Sequence, residues 1–213
     1  MLPFTSTQFF DLFGIYNNAI WPIQVATYAL AFLAMAMLLR PGVAADRFLS
    51  VTLALMWSWT GVAYHWFYFS AINFAAWVFG AAFVVQGAIF LSCGAIQNRL
   101  QFEYVRATRP ALGVALIVYA GAIYPAIGMS LGHSYPNAPV FGITPCPVTI
   151  FTFGCLLLLR SPMRWWVVVI PVLWSLIGGT AAFLLDAPQD WLLLVSGVAT
   201  TALLAKGRPP LLH

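Results

Sequence analysis

The sequence predicts an all-α membrane protein whose seven transmembrane helices form one bundle. Of its 213 residues, 62% are hydrophobic and 7% are charged, and the mean hydropathy is +0.92. A composition of this kind excludes a soluble domain and a disordered chain. Apolar runs long enough to cross a hydrocarbon core of about 30 Å recur along the chain. The positive charges also alternate between runs in the way expected of seven crossings.

The elements follow one another in a single transmembrane domain over residues 1–213. Residues 1–17 form an interfacial segment with a short aromatic helix, for which Thr5 or Ser6 is the predicted N-cap. The bundle covers 18–206, and 207–213 form a cytoplasmic tail. The predicted spans are 19–39, 48–69, 73–96, 110–131, 147–160, 164–185 and 189–205. No cleavable signal peptide is expected, because no basic residue precedes the first apolar run.

The basic residues determine the predicted orientation. All nine fall between spans one and two, three and four, or five and six, or after span seven, at Arg40, Arg47, Arg99, Arg106, Arg109, Arg160, Arg164, Lys206 and Arg208. The opposite loops carry only Asp11, Asp186 and Asp190. Since Lys and Arg are retained in cytoplasmic loops, the N-terminus is predicted to lie outside and the C-terminus in the cytoplasm.

The fifth span is too short to cross the membrane as a regular helix. Its residues 147–160 extend roughly 21 Å at ~1.5 Å each, against a hydrocarbon core of about 30 Å. Pro145 and Pro147 flank Cys146, and the preceding stretch is rich in Pro and Gly. Irregular backbone at membrane depth must be buried in protein or line a watery cavity. Cys146 is therefore predicted to lie at the mouth of a half-helix, inside such a cavity.

The predicted spans contain no carboxylate and no lysine in their interior, which excludes a retinal Schiff base and carboxylate-based ion coupling. Close helix packing is the favoured role of Gly80, Gly87 and Gly94, which share one helix face. An interhelical hydrogen bond is the favoured role of Gln86, whose amide would otherwise be costly in hydrocarbon.

Cys146 and His65 are the residues best suited to chemistry. Cys93 and Cys155 belong to the inner halves of their spans, so Cys146 is expected to be a free thiol, with thiolate favoured by the helix N-terminus. The topology brings His65 to the same side. The predicted ligand-binding residues are Gln24, Tyr64, His65, Thr144, Cys146 and Thr149. The predicted ligands of a soft metal ion are Cys146 and His65, with His133 and Met129 as further candidates.

Two structural alternatives have similar weight. His65 could be a structural histidine that bonds to a neighbouring carbonyl or hydroxyl group. The Pro-Cys-Pro segment could serve only to shape a broken helix.

Three stretches carry a resemblance to a known family. They are FFDLFGIYNNAIWPIQ, YHWFYFSAINFAAWVFGAAFVVQGAIF and TPCPVTIFTFG. Together they resemble an uncharacterised family, a domain of unknown function, of small polytopic bacterial inner-membrane proteins. The resemblance implies a bacterial integral membrane protein and carries no activity. It adds interest to the polar residues within these stretches, which are Asn18, Gln24, His65, Asn73, Gln86 and Cys146.

The most economical function is a small transporter or facilitator. It would bind a small solute or a soft metal ion near Cys146 and His65, in an outward-facing cavity between spans one, two, four and five. One alternative is a haem- or quinone-binding membrane oxidoreductase, with His133 or His213 as the second haem ligand. Another is an accessory or assembly subunit without cargo. No catalytic residue is assigned, and an enzyme is the less favoured class. The expected partners are the lipid bilayer, the solute or metal ion and a second copy of the chain, but not nucleic acid.

Overall fold

A computed structural model describes residues 3–160, 164–185 and 187–205. Over these residues the secondary structure is helical, apart from an isolated bridge between Phe102 and Leu159. The helices are α1 (Ser6–Ala19), α2 (Ile23–Met37), α3 (Val43–Trp59, continued as a π-helix over Thr60–Tyr68), α4 (Ala76–Ile96), α5 (Thr108–Ser130), α6 (Pro145–Leu157), α7 (Trp165–Leu184) and α8 (Trp191–Ala205). The predictions for Asp186, Lys206, Arg208, His213 and the tail 207–213 lie outside the described residues.

Each predicted span overlaps one of the helices α2 to α8. Three of them, α4, α5 and α7, are long and apolar enough to cross a membrane. Helices α1 and α2 together would be a fourth candidate, bent by 84° at their junction. The prediction of an N-cap at Thr5 is confirmed, because its side chain accepts from the main chain of Gln8 and Gln8 reaches back to Thr5 N at 2.9 Å.

Helix α6 lies at the centre of the bundle. Every one of its residues except Cys146 is buried, which is typical of a helix that is apolar all round and enclosed by protein. It begins at Pro145, two residues before the predicted start, and ends at Leu157. A Cβ atom on Gly154 would lie 2.7 Å from the Gly113 carbonyl oxygen of α5, so these two backbones are in close contact.

Small residues also join α3 to α4. A Cβ atom on Gly80 would lie 2.8 Å from the Gly61 carbonyl oxygen, and Gly87 and Gly94 pack in the same way against Ser58 and Ser50. The close-packing prediction for the glycines of α4 is therefore confirmed. The amide of Gln86 donates to the Val167 carbonyl at 2.9 Å, which confirms its predicted interhelical bond.

The connections that carry the described arginines meet at one end of the bundle, called here the basic end. Phe102 N–H donates to Asp46 at 2.8 Å, and Arg160 lies 3.8 Å from Glu103. The side chain of Arg109 also donates to carbonyl oxygens at the end of α6.

The other end, called the cavity end, is made by α1 and the irregular segment 131–144. Asn17 donates to the carbonyls of Pro136 at 2.6 Å and Ala138 at 2.9 Å, and Tyr16 donates to Ile143 at 2.9 Å. These bonds satisfy carbonyls that no helix could pair, and they fix the approach of the chain to α6.

Candidate functional site

Two cavities lie at the cavity end, on either side of the turn Pro188–Asp190. The first, the amide cavity, has a volume of about 340 Å³ and lies between α2, α5 and the segment 131–144. Gln24, Tyr28, Tyr124, His133 and Gln189 are among the residues that line it. Gln189 of the turn faces this cavity, whereas the next residue lines the second one.

Several buried polar atoms of residues that line the amide cavity have no hydrogen-bond partner among the described residues. They are Gln24 Oε1, His133 Nδ1 and both terminal atoms of the Gln189 side chain. The other end of the Gln24 amide donates to the Asn17 carbonyl at 2.7 Å, which fixes its orientation and leaves Oε1 as the free acceptor. Since a buried polar group costs free energy unless it is paired, the amide cavity is suited to a ligand with polar groups of its own.

The second cavity, called the acidic cavity, has a volume of about 200 Å³. It lies between the start of α1, the end of α3, the starts of α4 and α6, and the end of α7. Its walls are largely aromatic, with Phe4, Phe9, Tyr64, Phe69, Phe79 and Trp174. Cys146 and Asp190 supply a thiol and a carboxyl group to the same wall.

Asp190 is the charged group of this cavity, and only 4% of its surface is exposed. Its Oδ1 accepts a hydrogen bond from the Tyr124 hydroxyl at 2.6 Å, and the Cys146 thiol lies beside it in a position to donate. Burial raises the pKa of Asp190 from 3.8 to about 6, and the bonds from Tyr124 and Cys146 only partly oppose this effect. The carboxyl group is thus still mainly ionised at neutral pH.

Cys146 occupies the first turn of α6 and is free, as predicted, as are Cys93 and Cys155. It is half-buried, and the acidic cavity gives access to it. The neighbouring carboxylate does not suit the predicted thiolate, because two negative charges would then lie side by side in a low-dielectric site. As a neutral thiol, Cys146 can instead donate to the Asp190 carboxylate beside it.

His65 is completely buried, and neither ring nitrogen has a hydrogen-bond partner among the described residues. The structural bond to a carbonyl or hydroxyl group is therefore not made. Its ring packs in an aromatic cluster, 4.8 Å from Phe83 and 5.2 Å from Trp174 between ring centroids. Trp174 also lies beside Cys146, so one indole ring touches both predicted ligand residues.

The predicted ligand set is divided between the two cavities. Tyr64 and Cys146 line the acidic cavity, and Gln24 lines the amide cavity. Thr144 and Thr149 are not among the residues that line either cavity. Their hydroxyl groups donate to the carbonyls of Val140 and Pro145 at 2.8 Å each. The sequence predicts a single cavity between spans one, two, four and five. The structure has two separate cavities instead.

The predicted metal ligands are divided in the same way. His133 stacks on Phe10 at 3.7 Å and lines the amide cavity with Met129, away from Cys146. Within the described part of the chain, no group of three or more His, Cys, Asp or Glu residues could hold a metal ion. The geometry therefore gives no support to a metal site formed by Cys146, His65, His133 and Met129.

Several polar side chains that line the cavities are absent from the predicted set of site residues. Among them are Tyr124, Trp174, Gln189 and Asp190. The charge pattern counts Asp190 among the charges of the outer loops, although the predicted seventh span begins at residue 189. An acidic residue in the first turn of an apolar span was the signal that could have identified it.

Comparison with known proteins gives one match. A family model described as a family of unknown function (DUF6064) matches residues 6–209. The match confirms the resemblance to an uncharacterised domain family. No curated protein and no solved structure matches the chain.

Proposed function

We propose that this chain, which belongs to the family of unknown function DUF6064, is a multi-pass protein of the bacterial inner membrane that acts as a small transporter or facilitator. Helices α2 to α8 supply the seven crossings. The meeting of the arginine-bearing connections at the basic end supports this topology, because such connections stay in the cytoplasm. The N-terminus and both cavities then face the outside.

The solute site of this proposal is the acidic cavity. The observation that carries it is the buried Asp190 carboxylate, which stands beside Cys146 at the start of α6 on the wall of a cavity. Helix α6 follows the irregular segment 131–144, and interrupted helices mark substrate sites in many transporters. A soft metal ion, the other predicted cargo, has no comparable support.

Thiol labelling from each side tests transport without knowledge of the solute. A membrane-impermeant maleimide is applied to right-side-out and to inverted vesicles that contain the full-length protein. A transporter exposes its site alternately to the two sides, so we expect Cys146 to react in both preparations. The Cys146→Ser variant is the control, since the remaining Cys93 and Cys155 are buried and should stay unlabelled.

The labelling pattern separates the alternatives. Reaction only in right-side-out vesicles would contradict translocation and leave a protein that binds without transport. No reaction in either preparation would favour the accessory subunit, because the cavity would then be closed from both sides.

A second candidate function rests on the amide cavity. The free Gln24 Oε1 and the unpaired Gln189 amide favour binding of an uncharged, mostly apolar molecule that carries both a hydrogen-bond donor and an acceptor. Exposed Trp21, Val25 and Met129 lie at its rim, so such a molecule could arrive from the bilayer. This is the quinone-binding alternative in a more general form. A haem held by His65 and His133 is not supported, because the two rings lie in separate surroundings.

Mass spectrometry of an organic extract of the purified protein tests this candidate. We expect a stoichiometric lipid-soluble molecule in the wild type and its loss in Gln189→Leu, with retention in Gln86→Leu as the control at a buried amide outside both cavities. Equal amounts of the lipid-soluble molecule in Gln189→Leu and Gln86→Leu would contradict its binding in the amide cavity.

A further inference from the structure

Among the residues that the structure describes, Asp190 has no positively charged partner. The groups that face it from the packed elements are the Tyr64, Tyr119 and Tyr124 hydroxyls and the Cys146 thiol, all neutral. The described arginines lie toward the basic end, where Arg109 and Arg160 contact the end of α6 and Glu103. The carboxylate is therefore buried with hydrogen bonds and without a counter-charge among the described residues.

A buried charge without a counter-charge is costly, and proteins normally compensate it. The hydrogen bond from Tyr124 and the adjacent Cys146 thiol supply part of the compensation, since charge-assisted bonds are stronger than neutral ones. A proton or a bound cation must supply the rest. The cavity beside Asp190 provides the space for a cation.

The walls of the acidic cavity indicate which cation fits. Aromatic faces attract cations through their quadrupoles, and aromatic cages are the usual receptors for alkylated ammonium groups. Phe4, Phe69, Phe79 and Trp174 provide such walls on a volume of about 200 Å³, which suits a ligand of few carbon atoms. A divalent metal ion would need several oxygen or nitrogen ligands, and the described residues do not gather them.

We propose that the acidic cavity binds a small alkylated ammonium ion, with its charge against Asp190 and its carbon substituents against the aromatic walls. This assignment rests on the proposed function, because it names the class of solute for the same site. Cys146 lies close enough to the ion to report on its presence.

Choline and its uncharged analogue 3,3-dimethylbutan-1-ol provide a matched pair of probes, since they share size and shape and differ in charge. Isothermal titration calorimetry on the full-length protein in non-ionic detergent at pH 8 should show saturable one-to-one binding of choline. We expect binding of the alcohol to be at least tenfold weaker. Equal affinity for the two probes would overturn the proposal, because the charge would then contribute nothing.

Asp190→Asn is the decisive variant. The amide keeps an acceptor for the Tyr124 hydroxyl and removes the charge, so choline binding should weaken at least tenfold. Asp11→Asn is the matched control, because Asp11 is an exposed acid at the same end and outside the cavity. Unchanged choline affinity in Asp190→Asn would also overturn the proposal.

Modification rates of Cys146 provide a test that does not depend on the variant being stable. A methanethiosulfonate with a trimethylammonium group should modify wild-type Cys146 at least tenfold faster than one with a sulfonate group, and choline should slow the cationic reagent. Equal rates for the two reagents, corrected for their rates with a free thiol, would contradict a cation site.

The outcomes also separate this inference from the transport proposal. Choline binding together with one-sided maleimide labelling would keep the cation site and remove transport. Two-sided labelling without choline binding would keep transport and remove the ammonium ion as the solute.

Discussion

Asp46 at the basic end and Asp190 at the cavity end are both buried carboxylates, with 2% and 4% of their surfaces exposed. Asp46 accepts the Phe102 N–H bond at 2.8 Å, and Arg160 adds a favourable charge interaction. Within the described part of the chain, Asp190 has the neutral hydroxyl of Tyr124 and the thiol of Cys146 as its partners. A positive charge thus compensates the Asp46 carboxylate in part, whereas the described residues supply none at Asp190.

This difference assigns different roles to two residues of the same type. Asp46 holds the connection between α4 and α5 in place, because it supplies the acceptor that a buried backbone N–H group requires. Asp190 pairs no backbone donor that we observe and lines a cavity instead. A buried carboxylate indicates a binding site when its charge is incompletely compensated, and burial alone does not.

The largest expected effect is that the basic end and the cavity end lie on opposite sides of the membrane. Reporter fusions after Arg106 at the basic end and near Asn137 at the cavity end should give cytoplasmic and external signals, respectively, because Lys and Arg are retained inside. The same signal at both sites would refute the seven-crossing topology and place Asp46 and Asp190 on one side of the membrane. A fusion within α1 is the internal control and should match the one near Asn137.

Substitution of the two carboxylates should next separate their roles. Asp46→Ala leaves the buried Phe102 N–H group without an acceptor, so the free energy of unfolding should fall by about 1–3 kcal/mol. Asp190→Asn removes an uncompensated charge and keeps an acceptor for Tyr124, so stability should stay the same or rise. Thermal unfolding in detergent measures both, and a greater loss in Asp190→Asn would reverse the assignment.

The helices were predictable because apolar length and charge are local properties of the chain. The short α6 followed from Pro145, Pro147 and the distance to Arg160, and its burial explains why it has no charged residue. The N-cap at Thr5 was equally local, since a capping box needs only two side chains three residues apart. These features depend on neighbours in sequence and on the membrane as solvent.

The cavities were not predictable, because they depend on the lateral order of the helices. The positive-inside rule correctly brings His65 and Cys146 toward the same end, but it does not say which helix lies beside which. Bonds between α1 and the segment 131–144, such as those from Asn17, join residues more than one hundred positions apart. They enclose the cavity end, and no local pattern indicates them.

A smaller effect concerns pH. Folded Asp190 has a pKa of about 6, against 3.8 for an aspartate exposed to solvent in the unfolded chain, so the folded protein binds this proton more tightly than the unfolded chain does. Stability should therefore rise as pH falls from about 6 to about 4, by at most about 1.4 kcal/mol per pH unit, and this contribution should be lost above pH 6.

The Asp190→Asn variant lacks the carboxyl group that takes up this proton. The pH dependence of its stability should therefore be flatter than that of the wild type between pH 4 and 6. Asp46 is unchanged in both proteins, so any contribution that it makes to the pH dependence cancels in the difference. Urea unfolding at several pH values measures the two curves. Parallel curves would show that Asp190 is not the group that titrates.

The smallest effect is expected at Thr149, which the sequence placed in the ligand site and the structure places outside both cavities. Its hydroxyl donates to the Pro145 carbonyl at 2.8 Å within α6, and that carbonyl also accepts the regular helical bond. Thr149→Val keeps the shape and leaves no buried group unpaired, so stability should change by less than about 1 kcal/mol. Choline affinity should stay within twofold of the wild type, whereas Asp190→Asn measured in parallel loses it. A tenfold loss in a folded Thr149→Val protein would return Thr149 to the site and show that the acidic cavity extends along α6 beyond Cys146.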